Sequence, residues 1–189
     1  LSFFNQLFEN ADDGSDEVTN TKMSVKLNLP DKLNGLLKNA KLTLLAEVGV
    51  YQLWFPLEFV NDENGQVIPL LSAPEVIDTK GIERSWRAPH LNLQTDHFII
   101  LSLSSTGVLL KPKQNKPDFS KELLLTFELP KKERIVLSAK PVRVTSNGIA
   151  AKIITVHEGE IALRQYLFET HKKQHAQLYE HANISTDLI

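Results

Sequence analysis

Short apolar runs, some alternating with polar residues and some continuous, occupy most of the second half of the chain. Runs of this length that are rich in Val, Ile, Leu and Phe and are separated by polar turns are typical of β-strands. They predict five strands: Leu91–Ser102, Val108–Pro112, Leu123–Leu129, Ile135–Thr145 and Ile149–Val156. Because strands of this number and length can close on themselves, the pattern predicts a β-barrel.

After Gly159 the pattern changes to helical spacing. Residues Glu160–Ala182 contain no Gly or Pro and predict one long C-terminal helix. Its first half has the better apolar face, which includes Leu163 and Leu167. Residues 170–177 are mostly polar, so this part of the helix is expected to project from the barrel or to meet a partner.

The first half of the chain predicts a leading segment and a smaller β unit. Phe4, Leu7 and Phe8 have helical spacing, and the residues after them form an acidic linker that is poor in apolar side chains. We interpret residues 72–80, which contain Pro74, as the connection between the two units. The predicted organisation is residues 1–22 as amphipathic segment and linker, 23–80 as N-terminal β-rich domain, 81–158 as barrel, and 159–189 as C-terminal helix and tail.

Composition adds limits on function. The chain has 21 Lys and Arg against 23 Asp and Glu, a formal charge of −2, which argues against a nucleic-acid coat protein. It has no Cys, which excludes disulfides, thiolate nucleophiles and cysteine-based metal sites. No apolar run approaches the roughly 20 residues that a membrane-spanning helix needs, and no signal peptide is evident. We therefore expect a cytoplasmic protein that is not inserted in a membrane.

The residues that could carry catalysis show no recognisable arrangement. No Gly-x-Ser-x-Gly motif occurs, and the six histidines lie outside any known catalytic pattern, so we expect a protein that is not an enzyme and needs no cofactor. His171 and His175 are four residues apart on the predicted helix, a spacing that can hold a metal ion. No third ligand is evident, which favours solvated histidines beside Lys172 and Lys173.

The segment Glu83–His90 carries two arginines around a tryptophan, just before a predicted strand. An arginine fork binds phosphate or the O6/N7 edge of guanine, and an indole face can stack on a base. Arg84, Trp86 and Arg87 are therefore candidate ligand-binding residues. In the alternative interpretation Trp86 fills a hydrophobic corner of a domain junction and the arginines pair with nearby acids.

A second candidate is the turn Ser102–Gly107, which joins two apolar strands. Hydroxyl groups and backbone amides in such a turn can contact phosphate or ribose, and glycine permits close approach of a ligand. We single out Ser102, Ser104 and Gly107, although runs of Ser, Thr and Gly between strands are often simple turns.

Taken together, the two segments resemble the signature motifs of the PilZ domain family, bacterial receptors for cyclic di-GMP. The resemblance covers about residues 81–168, and the preceding β unit is similar in placement to that of two-domain, YcgR-like members. It departs from the family in two places: Arg84 and Arg87 are one residue closer than the usual Arg-x-x-x-Arg pair, and Ser102 stands where Asp or Asn is usual. Ser104 and Gly107 match the second motif.

The resemblance implies a mainly β protein in which a six-stranded antiparallel PilZ-type barrel with a C-terminal α-helix follows a smaller β-rich domain. It implies that cyclic di-GMP binds between Arg84, Trp86 and Arg87 on one side and Ser102, Ser104 and Gly107 on the other. Binding would change the orientation of the two units and relay a signal to a protein partner, as in motility or biofilm control. The alternative is a degenerate PilZ protein that binds no nucleotide and acts as a protein-interaction module or a homodimer.

Overall fold

The computed structural model describes residues 23–24, 42–61, 67–113, 118 and 121–182. The predicted helix around Phe4, the acidic linker after it and the tail beyond residue 182 lie outside the described residues. Within the described part of the chain, no helix is long and apolar enough to cross a lipid bilayer.

The first sheet contains six antiparallel strands, of which one is long and central. Along one edge the central strand pairs with a single strand. Along its other edge it pairs with two strands, one after the other. The strands are β1 (Met23–Ser24), β2 (Leu42–Val48), β3 (Tyr51–Asn61), β4 (Val67–Leu71), β5 (Glu75–Asp78) and β6 (Arg84–Ser85). Segment 72–80, which we interpreted as a connection, therefore contributes a strand, β5.

The second sheet is a six-stranded antiparallel barrel that is nearly closed. Its spatial order is β10, β11, β12, β9, β8, β7, so β7 and β10 approach each other where the barrel remains open. The strands are β7 (Leu93–Gln94), β8 (Phe98–Leu103), β9 (Gly107–Pro112), β10 (Leu123–Glu128), β11 (Arg134–Thr145) and β12 (Gly148–Glu158). Alternate residues such as Ile135, Leu137 and Ala139 point into the core, as expected for strands with one buried face.

One predicted strand is in fact a tight hairpin. Residues 91–102 turn at Thr95, so that Leu93 pairs with Ile100 and Gln94 with Ile99. The hydroxyl group of Thr95 accepts a hydrogen bond from the Phe98 amide at 2.9 Å and stabilises the turn. This extra strand raises the five predicted strands of the barrel to six.

The C-terminal segment forms two helices, not the single long helix that we predicted. They are α1 (Glu160–Gln174) and α2 (Ala176–Ala182), and the chain leaves helical geometry at His175, where φ is −124° and ψ is 34°. The break turns α2 back onto the protein, where Tyr179 is buried and Leu178 packs on the β2–β3 turn at Gly49. Tertiary packing of these two side chains thus outweighs the uninterrupted helical propensity of the segment.

Helix α1 does not project from the barrel. It packs on β5 of the first sheet and on β11 of the barrel, and it buries Leu163, Leu167 and His171. The fold is therefore the mainly β arrangement that we predicted, with a smaller β-rich unit, a six-stranded antiparallel barrel and a C-terminal helical segment.

Candidate functional site

The segment that carries the two arginines crosses from the first sheet to the barrel. Arg84 lies in β6, the last strand of the first sheet, and the Trp86 amide donates a hydrogen bond to the Val76 carbonyl oxygen at 2.8 Å. Two residues later, Ala88 pairs with Leu103 of the barrel through hydrogen bonds of 2.8 and 3.1 Å. The first sheet therefore extends past residue 80, and the arginines lie at the junction of the two units.

Arg87 lies directly on the second candidate segment. Its Nη1 donates to Ser102 Oγ at 3.2 Å, and its Nη2 donates to Ser104 Oγ at 3.4 Å. Both serines are buried, so they serve to orient the guanidinium group and do not present an open wall to a ligand. A guanidinium has five N–H donors, and these two bonds use only two of them.

The Ser102–Gly107 turn, on which Arg87 lies, is stabilised by the hydroxyl group of Ser104. Ser104 Oγ accepts a hydrogen bond from the Gly107 amide at 3.0 Å and donates one to the Gly107 carbonyl oxygen at 3.2 Å. A Cβ atom at position 107 would lie only 2.8 Å from Arg87 Nη2 and 3.3 Å from the Ala151 carbonyl oxygen. Glycine is therefore required here for the guanidinium to approach the backbone.

Arg84 is more exposed and is paired with an acid. Its Nη2 lies 3.6 Å from Asp78 Oδ2, and 74% of its side chain is accessible to solvent. The pKa of Arg87 is lowered from its ordinary value, first because its side chain is partly buried and second because the positive charge of Arg84 is near. An anion that binds near both guanidinium groups would be stabilised by their combined positive charge.

Trp86 is not available as a stacking surface, which corrects one of our site residues. It is 8% exposed and packs edge-on against the rings of His171 and His175, with centroid distances of 4.8 and 6.4 Å. Its side chain points inward while that of Arg87 faces solvent, because side chains alternate along an extended chain. The alternative interpretation, in which Trp86 fills a hydrophobic corner, describes its position.

The expectation of solvated histidines on the helix is wrong for His171. Its side chain is fully buried, its Nδ1 lies 2.7 Å from the Tyr179 hydroxyl group, and its Nε2 has no hydrogen-bond partner among the residues that the structure describes. Burial lowers the pKa of His171 to about 3, with a smaller contribution from His175, while Asp78 acts in the opposite direction. Among the described residues no group of three or more His, Asp or Glu side chains could hold a metal ion.

Two acids that the sequence did not bring to attention lie at the site. Glu75 Oε1 accepts hydrogen bonds from Ser105 Oγ at 2.5 Å and from Ser85 Oγ at 2.9 Å, and Asp78 holds Arg84. We overlooked both because segment 72–80 was interpreted as a connection. The two adjacent β-branched residues in Glu75-Val76-Ile77-Asp78 are the signal that could have indicated a strand ending at the site.

Comparisons with protein-family models, with curated proteins and with solved structures find no match to this chain. The function must therefore be argued from the site itself.

Proposed function

We propose that this protein is a PilZ-type receptor that binds cyclic di-GMP at the junction of its two sheets, through Arg84 and Arg87. The observation that carries the proposal is the position of Arg87 on the Ser102–Gly107 turn. Two segments that are separated by about fifteen residues, and that resemble two motifs of one ligand site, meet in space.

The chemistry of the two arginines fits such a ligand. A guanidinium fork binds a phosphate group or the O6/N7 edge of guanine with two parallel hydrogen bonds. Arg87 is held in place by two serines, whereas Arg84 is exposed and can leave Asp78 to reach a ligand. A dinucleotide with two negatively charged phosphates would relieve the repulsion between these guanidinium groups.

The position at the junction supports a signalling role. Arg84 belongs to the first sheet, and Arg87 lies on the barrel. A ligand that binds both arginines contacts both units, and it favours the relative orientation in which both contacts are made. We propose that a protein partner reads this change.

Titration calorimetry with cyclic di-GMP tests the proposal. We expect binding by the wild type and a loss of about tenfold or more in affinity for Arg84→Ala and for Arg87→Ala, since each removes a charge-assisted contact. Gly107→Ala should also weaken binding, because its Cβ displaces the end of the Arg87 side chain. Arg143→Ala is the matched control, since Arg143 is an exposed arginine on β11. Absence of heat and of a thermal shift for the wild type at high ligand concentration would refute the receptor function.

A second candidate is a protein-interaction or oligomerisation module that binds no nucleotide. It is favoured by Leu45 and Trp54, which are adjacent on β2 and β3 and are 46% and 40% exposed. Adjacent exposed apolar side chains are typical of an interaction surface. Light scattering of the wild type and of Leu45→Lys tests this candidate: self-association that the substitution abolishes, without any nucleotide binding, would support it.

A further inference from the structure

The carboxylate groups of Glu75 and Asp78, on strand β5, lie against hydrogen-bond donors that an anionic ligand would need. Glu75 Oε1 accepts hydrogen bonds from Ser105 Oγ and Ser85 Oγ, at 2.5 and 2.9 Å. Ser105 belongs to the turn on which Arg87 lies. Three residues after Glu75, Asp78 holds Arg84 with an Nη2 to Oδ2 distance of 3.6 Å.

These contacts use the same chemistry as a phosphate contact. A hydroxyl group that donates to a carboxylate forms a charge-assisted hydrogen bond, and the oxygen atoms of a phosphate accept such bonds equally well. Ser105 has one hydroxyl proton to donate, so it cannot donate to Glu75 and to a ligand at once. Arg84 has further N–H donors, so Asp78 competes by neutralising part of the positive charge that would attract a ligand. Both carboxylates also repel a ligand anion through space.

We propose that Glu75 and Asp78 are internal competitors of the anionic ligand, and that they lower the affinity of the site that Arg84, Arg87 and the Ser102–Gly107 turn form. This inference rests on the proposed receptor function. In the free protein Glu75 accepts the hydrogen bond of Ser105, and Asp78 neutralises part of the charge of Arg84. A bound ligand therefore competes with both carboxylates. The affinity of the site is thus set by residues of the first sheet, outside the two motifs.

Calorimetric titration of cyclic di-GMP into Glu75→Gln and Asp78→Asn tests the inference. Each substitution removes a negative charge while it keeps the size of the side chain. We expect affinity to rise about tenfold for Glu75→Gln and about threefold for Asp78→Asn, since a charge-assisted hydrogen bond contributes more than an exposed ion pair. The gain in Asp78→Asn should shrink at high salt, because Arg84 is exposed and its pairing is screened.

Glu47→Gln is the matched control, because Glu47 also accepts a hydrogen bond in the first sheet, from Gln52, but lies on β2. Thermal unfolding of each variant verifies that it is folded, and Asp78→Asn stands as an independent test should Glu75→Gln fail to fold. If wild type and both variants bind with equal affinity, or the variants bind more weakly, the competition is refuted and the receptor function stands. If wild type and variants all fail to bind, the receptor function is refuted and the competition with it.

Discussion

At the scale of single residues, the buried ring of His171 makes the stability of the protein depend on pH. This ring is enclosed by Tyr51, Trp86, His175 and Tyr179, and the negative charge of Asp78 favours its protonation. Burial holds its pKa at about 3 in the folded protein, whereas an unfolded chain protonates histidine near pH 6.5. The folded state therefore keeps this ring neutral over that pH interval.

This difference predicts a loss of stability in mild acid. Below about pH 6.5 the unfolded chain binds a proton that the folded protein excludes, so the free energy of unfolding falls as pH falls, by up to about 1.4 kcal/mol per pH unit. Between pH 6.5 and pH 5 we expect urea unfolding to show about 1 to 2 kcal/mol more loss for the wild type than for His171→Gln. His97→Gln, a change at an exposed histidine, should follow the wild type. Parallel pH profiles for His171→Gln and the wild type would contradict the buried neutral state.

The site could be predicted from the sequence only in part, because burial of single side chains depends on distant elements. The identities and spacing of Ser104 and Gly107 indicated a turn, and the structure places Arg87 on it. The burial of Trp86 depends on the rings of His171 and His175, and the hydrogen bond of His171 depends on the return of α2, which no local pattern encodes. The role of Glu75 depends on a contact that spans thirty residues of sequence, from β5 to the Ser105 turn.

At the scale of elements, the junction between β12 and α1 depends on a single glycine. Gly159 precedes α1 with φ of 80°, and no side chain of the described residues caps the helix there. A Cβ at this position would lie 2.5 Å from the Arg134 carbonyl oxygen and 2.5 Å from Ile135 Cδ1. The backbone of β11 cannot move away from such an atom without disturbing the barrel.

We therefore expect Gly159→Ala to lower the free energy of unfolding by about 2 to 4 kcal/mol, from the left-handed backbone and the collision together. Gly81→Ala is an informative control, because Gly81 has φ of 85° but a Cβ atom there would meet no atom of the described residues within 4 Å. This substitution should cost only about 1 kcal/mol, the penalty for the backbone conformation alone. Chemical denaturation measures both values, and equal costs at the two positions would show that the collision is relieved.

Element boundaries were predictable where the chain signals them locally. Strands β9 to β12 begin and end within two residues of the prediction, because Gly, Pro and Asn residues mark the turns between them. The hairpin at Thr95 and the break at His175 were missed, because neither contains Gly or Pro. In both cases a side-chain contact, from the Thr95 hydroxyl group or from Tyr179, stabilises the reversal of the chain.

At the scale of the whole molecule, α1 and its neighbours connect the two sheets. The helix packs on β5 and β11, Trp86 lies beneath it, and Glu75 of the first sheet binds Ser105 of the barrel. If either sheet unfolded, apolar side chains of the other sheet would be exposed to water. The two units should therefore unfold together, although each has its own sheet.

Fluorescence and circular dichroism together test this cooperativity. The chain has two tryptophans, so Trp54→Phe leaves Trp86 as the sole reporter of the junction, while the far-ultraviolet dichroism reports the strands of both sheets. In urea we expect coincident transitions from the two signals, as required for two-state unfolding. Leu167→Ala, which creates a cavity under α1, should shift both transitions equally, by about 2 to 4 kcal/mol. Two separated transitions, with Trp86 fluorescence changing before the bulk of the dichroism, would show that the junction opens while a sheet stays folded. The arginines at that junction would then be poorly placed to bind one ligand between two units.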